Sequence, residues 1–204
     1  MTGLLAVGRQ TGLYPDDPVD GVSSAYVQLG VRLERLPEQR YLVWRAAHGA
    51  PDHPEGAPWT AGDVAAVAAR SGVPASAVPA ELAELTGRGL VTGLDDVAAF
   101  ARRHTVVPLA VGLGNSAADP GGFRYALGGQ VLATLPRTLY QLVALAHRWP
   151  HLDAACRALA RQAATAGVPL DAARDPERLL AWLVGALPRL CSLHVVHLAP
   201  AAAS

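Results

Sequence analysis

Apolar and polar residues alternate along "YVQLGVRLERL" (Tyr26–Leu36) and again along "FRYALGGQVLATL" (Phe123–Leu135). A period of two sends successive side chains to opposite faces of a strand. Leu29–Gly30 in the first run and Gly128–Gly129 in the second supply the glycine that a tight hairpin turn needs for positive φ. Both runs end in Leu-Pro, at Leu36–Pro37 and Leu135–Pro136, and the period then lengthens to between three and four. Tyr41, Trp44 and Ala47 fall on one helical stripe, as do Tyr140, Val143 and Ala146, each behind a proline in the first turn. The pattern predicts a hairpin and then a helix, twice.

Two more helices are predicted behind each hairpin. "TAGDVAAVAARSG" offers Thr60 as N-cap, Val64, Val67 and Ala68 as a buried stripe and Gly72 as a stop; "HLDAACRALARQAATAG", stopped by Gly167, takes its place in the second half. The third helix runs near "PASAVPAELAELTGRG", with Val78, Leu82 and Leu85 inward, and ends at Gly87 or Gly89 before the strand "LVTGL". Its counterpart lies in "DPERLLAWLVGALPRLCSLHVVHL", where Leu183, Leu187 and Leu190 share the phase and Pro188 is expected to kink the helix.

The correspondence extends along the whole chain, the mark of an internal repeat. "LLAVG" (Leu4–Gly8) recurs as "PLAVG" (Pro108–Gly112), followed by Asp17–Pro18 and Asp119–Pro120, and "AYVQLG" (Ala25–Gly30) is echoed by "RYALGG" (Arg124–Gly129). Leu36, Pro37, Tyr41, Ala47 and His48 stand 99 places before Leu135, Pro136, Tyr140, Ala146 and His147. "SGVP" (Ser71–Pro74) pairs with "AGVP" (Ala166–Pro169), and "LAELTGRGLV" (Leu82–Val91) with "LPRLCSLHVV" (Leu187–Val196). The expected fold is α+β and mainly helical: two tandem winged-helix domains, each a small β-sheet plus three helices, over residues 1–93 and 106–204. A connecting helix at "DDVAAFARRH" falls within residues 94–105. Strand and helix do not alternate regularly, which argues against a parallel α/β sheet.

Composition narrows the functional classes. With 51% hydrophobic and 17% charged residues the chain has the apolar material for a core. All 17 cationic residues are Arg, balanced by 17 Asp and Glu, so the positive surplus that phosphate contacts use is missing. Cys156 and Cys191, both in apolar surroundings, fit buried residues in a reducing cytoplasm. The N-terminus lacks a basic segment ahead of an apolar run, and no window has the eighteen or so uninterrupted apolar residues of a membrane helix. A soluble cytoplasmic protein without a membrane partner is expected.

Catalysis finds little support in the motifs. No Gly-x-Ser-x-Gly, His-Glu-x-x-His or paired-Cys motif occurs, and no neighbouring carboxylates and His can be assembled into an acid–base set. Cys191, His194 and His197 look like metal ligands, but on a strand the two imidazoles would face opposite ways. His147 and His151, like His48 and His53, suit helix ends, and "VGLGNSAADPGG" lacks the following helix N-terminus that would hold a phosphate. No cofactor, metal or enzymatic activity is expected. Trp59 and Trp149, placed in loops, are candidates for partner contact.

"GVRLERLPEQRYLVWRAAHG", the helix opening near Thr60, and "SGVPASAVPAELAELTGRGLV" together resemble the PqqD-like domain, also called the RiPP recognition element. The matching positions are Gly30 to Leu36, Pro37, Trp44, Gly49, Gly72 to Val78, and Arg88 to Val91. The second half matches at Gly129 to Leu135, Pro136, Tyr140 and Leu187 to Val196, and departs where Arg148–Trp149 replaces the helix-ending glycine. The resemblance implies a winged helix behind a three-stranded sheet. It further implies binding of a precursor's leader peptide as an added strand, for a partner modifying enzyme, between the third strand and the third helix. In the first half that groove would be walled by Val31, Arg32, Leu33, Glu34 and Arg35, and by Glu81, Glu84, Leu85 and Arg88. In the second it would use Gln130, Val131, Leu132, Ala133 and Thr134, with Leu183 and Leu187. A homodimer is compatible with this reading.

The alternative is a winged-helix transcription regulator, whose third helix would enter the major groove of DNA. Glu81 and Glu84 against the single Arg88 make that helix a poor reader of bases, and Arg178 and Arg189 improve the second only slightly.

Overall fold

The structure, a computed structural model, describes residues 3–15, 23–167 and 171–201. The expected turn at Asp17–Pro18 and the Val168–Pro169 part of "AGVP" lie outside the described residues. The protein is α+β, with small antiparallel sheets, and it divides into two compact units. Met1–Gly49 and Pro58–Asp95 make the first; Ala50–Ala57 and Asp96–Ser204 make the second.

In the first unit β1 (Leu4–Ala6) pairs with β5 (Val91–Gly93), while β2 (Arg9–Pro15), β3 (Ser23–Leu29) and β4 (Arg32–Pro37) form a three-stranded sheet with β3 central. Gly30, at φ 60°, opens the two-residue turn between β3 and β4, a conformation that costs a residue with a Cβ. Pro37 ends β4 and leads into α1 (Glu38–Ala46). α2 (Ala61–Arg70) starts in a capping box, where the Thr60 side chain accepts from the Asp63 N–H and the Asp63 carboxylate accepts from the Thr60 N–H at 2.8 Å. α3 (Val78–Gly87) buries Val78, Leu82 and Leu85, and the Leu90 N–H closes it on the Leu85 carbonyl at 2.8 Å. Trp44, 2% exposed, sits in the core and donates its indole N–H to the Val7 carbonyl at 3.1 Å.

The second unit repeats this order. α4 (Val97–Arg103) precedes β6 (His104–Pro108), which pairs with the last strand, β10 (Val196–Pro200). β7 (Val111–Gly114), β8 (Gly122–Leu127) and β9 (Gln130–Pro136) form the sheet. α5 (Arg137–Leu145), a 3₁₀ turn at Ala146–Arg148, α6 (Leu152–Thr165), α7 (Asp171–Arg174) and α8 (Pro176–Ser192) follow. α8 continues as one helix through Pro188. Where Gly89 takes positive φ beyond α3, His194 takes φ 55° beyond α8, and the Val195 N–H bonds to the Leu190 carbonyl at 2.9 Å.

Two boundaries differ from the sequence expectation. α4, expected to connect the halves, counts with the second unit, where it packs on α6 and β6 and buries Phe100 and Ala101. Ala50–Ala57 joins that unit as well, since the Trp182 indole donates to the Glu55 carboxylate at 3.3 Å and the Gly56 N–H bonds to the Gly185 carbonyl at 3.3 Å. The repeat also aligns differently at its start. Val7 and Leu109 both donate to the residue preceding the last strand of their unit, Leu90 and Val195, so Val7 matches Leu109 and not Val111. "LLAVG" and "PLAVG" are thus two residues out of structural register, a shift that leaves the inside–outside alternation unchanged. Among the described residues no helix is long and apolar enough to cross a membrane.

Candidate functional site

β4 ends its sheet, so among the described residues one side of its backbone has no neighbouring strand. Its pairing with β3 closes at Leu29–Arg32 across a two-residue turn, which makes Arg32, Glu34 and Leu36 the residues that exchange hydrogen bonds with β3. Leu33 and Arg35 therefore turn their N–H and C=O groups outward. Arg88, at the end of α3, reaches this edge: its guanidinium donates to the Arg35 carbonyl at 3.3 Å and forms an ion pair with Glu34. Arg32 adds a contact to Glu34 at 3.6 Å and one to the Arg88 carbonyl at 3.5 Å. Val31 and Leu33 remain exposed at the hairpin tip, and the Arg35 side chain bonds to Ser24 at 3.0 Å.

A second ionic cluster closes the seam between α1 and α3. Arg40 bonds to Glu81 at 2.6 Å and to Glu84 at 3.2 Å, and Gln39 donates to Glu81 at 3.1 Å. Burial alone would raise the Glu81 carboxyl, but the hydrogen bonds from Arg40 and Gln39 and the Arg40 charge outweigh it and leave the group below its ordinary value. Of the residues expected to wall this groove, Arg32, Glu34 and the Arg35 carbonyl meet Arg88 at the β4 edge, Val31 and Leu33 are exposed on the same hairpin, and Glu81 and Glu84 lie at the seam with α1. Leu85 does not wall it: it is fully buried and belongs to the core. Arg40 was not expected. Its signal is Glu81 and Glu84, one helical turn apart on one face and in need of a cation.

The second unit has the same frame with different side chains. β9 ends its sheet, its turn closes at Leu127–Gln130, and an extra residue at Leu132 bulges it before Tyr125 pairs with Ala133. Thr134, paired with Arg124, corresponds to Arg35 and turns its N–H and C=O outward. Ala133 stands where the first unit has Glu34, and Leu193 where it has Arg88. Gln130, Val131 and Thr134 are exposed, Leu132 is half-buried and Ala133 is buried. Leu183 and Leu187 are both fully buried, so as groove walls they are corrected to core residues. Their helical phase places them inward with Leu190, and a side chain packed against the core cannot also face a ligand. Val111, Ala126 and Val131 lie in one row across the outer face of the sheet, where the first unit has Arg9, Gln28 and Leu33. Val111 and Val131 are 63% and 45% exposed, whereas Arg9 bonds to Gln28 at 2.8 Å.

The remaining candidates have structural places. Trp59 is buried and donates to the Ala46 carbonyl at 3.1 Å, so it is a core residue and no partner contact. Trp149 is half-buried and lines a recess of about 430 Å³ with Arg161, Gln162 and Thr165. A recess of about 420 Å³ in the first unit is lined by Thr60, Thr86 and Asp95 among others. His151 caps α6 by accepting from the Ala154 N–H at 3.2 Å, and His194 lies ahead of β10, apart from His197 within it. No group of three metal-ligating side chains occurs among the described residues. Burial pushes the Cys156 and Cys191 thiols up to about 12, which leaves them unreactive at neutral pH. No known family model, curated protein or solved structure matches the chain.

Proposed function

We propose that the chain is a pair of winged-helix units, each behind a three-stranded sheet. Its work is to recognise a peptide or partner protein, without catalysis, by adding an extended strand to a sheet edge. The likeness to the RiPP recognition element motifs makes a precursor's leader peptide, or the enzyme that modifies the precursor, the partner of choice. The observation that carries the reading is the β9 edge: a terminal strand with outward backbone groups at Thr134 beside exposed Gln130 and Val131. Such an edge provides affinity through main-chain hydrogen bonds and preference through side-chain contacts.

DNA binding is the rival, favoured only by Arg178 and Arg189 on the exposed side of α8. The exposed side of α3 offers Pro79, Ala80, Ala83, Glu84 and Thr86, of which Thr86 alone carries a side-chain donor, and it would bring a carboxylate to phosphates. Labelled synthetic peptides covering the short reading frames beside the gene, titrated against the full chain, test the choice. Saturable peptide binding supports strand addition. Binding to genomic fragments that falls steeply with salt, without peptide binding, supports the rival.

A further inference from the structure

The two edges are built alike and are not equally open. In the first unit an incoming strand would need the outward groups of Leu33 and Arg35, but Arg88 already donates to the Arg35 carbonyl. That arginine is itself held over the edge by Glu34, with Arg32 bracing both. An added strand would have to displace this guanidinium and leave the part-buried Glu34 carboxylate short of its partner, a loss of a charge-assisted contact. In the second unit the same two positions are Ala133 and Leu193, neither of which can reach across.

The walls differ in charge too. Along β9, α5 and the stretch of α8 from Trp182 onward the charged residues are Arg137 and Arg189, both exposed; Arg124 pairs with Thr134 from β8, and the Asp119 carboxylate, lying against Gly122 beside the Thr134 methyl, leaves this edge with a cationic balance. The first unit sets Glu34, Glu81 and Glu84 against Arg32, Arg35, Arg40 and Arg88, most of them already engaged with one another. Charge complementarity thus selects an acidic occupant for the second edge.

We propose that strand addition is confined to β9 of the second unit, which takes an extended acidic peptide, while the Arg88–Glu34 pair holds the β4 edge of the first unit shut. This rests on the strand-addition reading above and deepens it by naming the working edge, the closed one and the charge of the ligand.

A phage-displayed library of random twelve-residue peptides, selected on the full chain, tests the proposal while the natural ligand is unidentified. The expected binders are rich in Asp and Glu. They weaken about tenfold on Thr134→Pro, which removes one outward N–H where an edge strand tolerates proline, and are unchanged by Leu33→Pro. In the double variant Glu34→Ala with Arg88→Ala, a second class of binders is expected, sensitive to Leu33→Pro. Far-UV circular dichroism shows that each variant is folded. Binders to the wild-type chain that depend on Leu33 and not on Thr134 would overturn the proposal, as would a double variant that gains no Leu33-dependent class. A library that yields no edge-dependent binder on either protein would take down strand addition itself, and this proposal with it.

Discussion

Arg40 in the first unit and Leu139 in the second hold the same helical position, and each faces a third helix. Arg40 meets Glu81 and Glu84, and the corresponding residues in the second unit are Ala186 and Arg189. Leu139 and Ala186 are buried, so an ionic seam in one unit is an aliphatic seam in the other. The same contrast recurs at the sheet edge, with Glu34 and Arg88 against Ala133 and Leu193, and on the outer sheet face, with Arg9 and Gln28 against Val111 and Ala126. One backbone plan accepts either chemistry because the fold is set by the apolar inner faces, while these positions lie at the margin. At its edge the second unit carries Ala133 and Leu193 in place of the ion pair.

The largest difference is expected in the cores. Trp44→Ala removes a fully buried ring and strands the Val7 carbonyl, a loss of about 3–5 kcal/mol in urea unfolding. The same position in the second unit is Val143, also fully buried, and Val143→Ala should cost only about 2 kcal/mol. Equal losses would mean that the two helices do not occupy equivalent core positions.

Next in size is the tyrosine seat. The Tyr41 hydroxyl donates to Gln10 at 2.8 Å, whereas the Tyr140 hydroxyl occupies the space that a Cβ at Gly112 would need. The Tyr140 ring is packed against Phe123 and Tyr125, at 5.2 and 4.8 Å between centroids, and cannot yield freely. Gly112→Ala should therefore destabilise the second unit by about 1–3 kcal/mol. Tyr140→Phe in the same chain should recover part of that loss, which thermal unfolding can check.

The units should also part company with pH. His104 is buried, stacked on Phe100 and bonded to its carbonyl at 2.9 Å. Burial lowers its pKa from the ordinary 6.5; the bond to the Phe100 carbonyl opposes this and the Arg103 charge adds to it. The unfolded chain then takes up a proton first, so this group's contribution is present above pH 6.5 and is lost as the pH falls through the lower folded value. Glu81 in the first unit is also lowered, and its contribution survives until the pH drops below the ordinary 4.5. Hydrogen exchange read separately in the two units between pH 7 and 5 should show the second loosening alone, and His104→Gln should remove the slope.

The smallest effects belong to the helix ends. Gly89→Ala should cost about 1 kcal/mol, because the position requires a left-handed backbone. His194→Gly, which relieves that conformation in the second unit, should gain up to about 1 kcal/mol in the same assay.

The hairpins, the N-cap at Thr60, the α3 stripe and, except for half-buried Val67, the α2 stripe were legible because they depend on neighbours within a few residues. The matched ends of the third helices were legible too, down to Leu85 and Leu190. Register was less so: "LLAVG" fits "PLAVG" at a shift of two, which an alternating pattern cannot distinguish from the true one. The groove was overdrawn where Leu85, Leu183 and Leu187 were asked to face both the core and a ligand. What the sequence hid was pairing across distance. Nothing local says that Arg40 finds Glu81, that Trp59 is covered, or that Ala50–Ala57 attaches to α8.

The most direct test is hydrogen exchange of the full chain with and without an acidic peptide taken from the library. Protection confined to residues 130–136, with 32–37 unchanged, is the predicted result. Protection of 32–37 alone, or of the α3 and α8 surfaces with neither strand affected, would contradict strand addition at the second unit's edge.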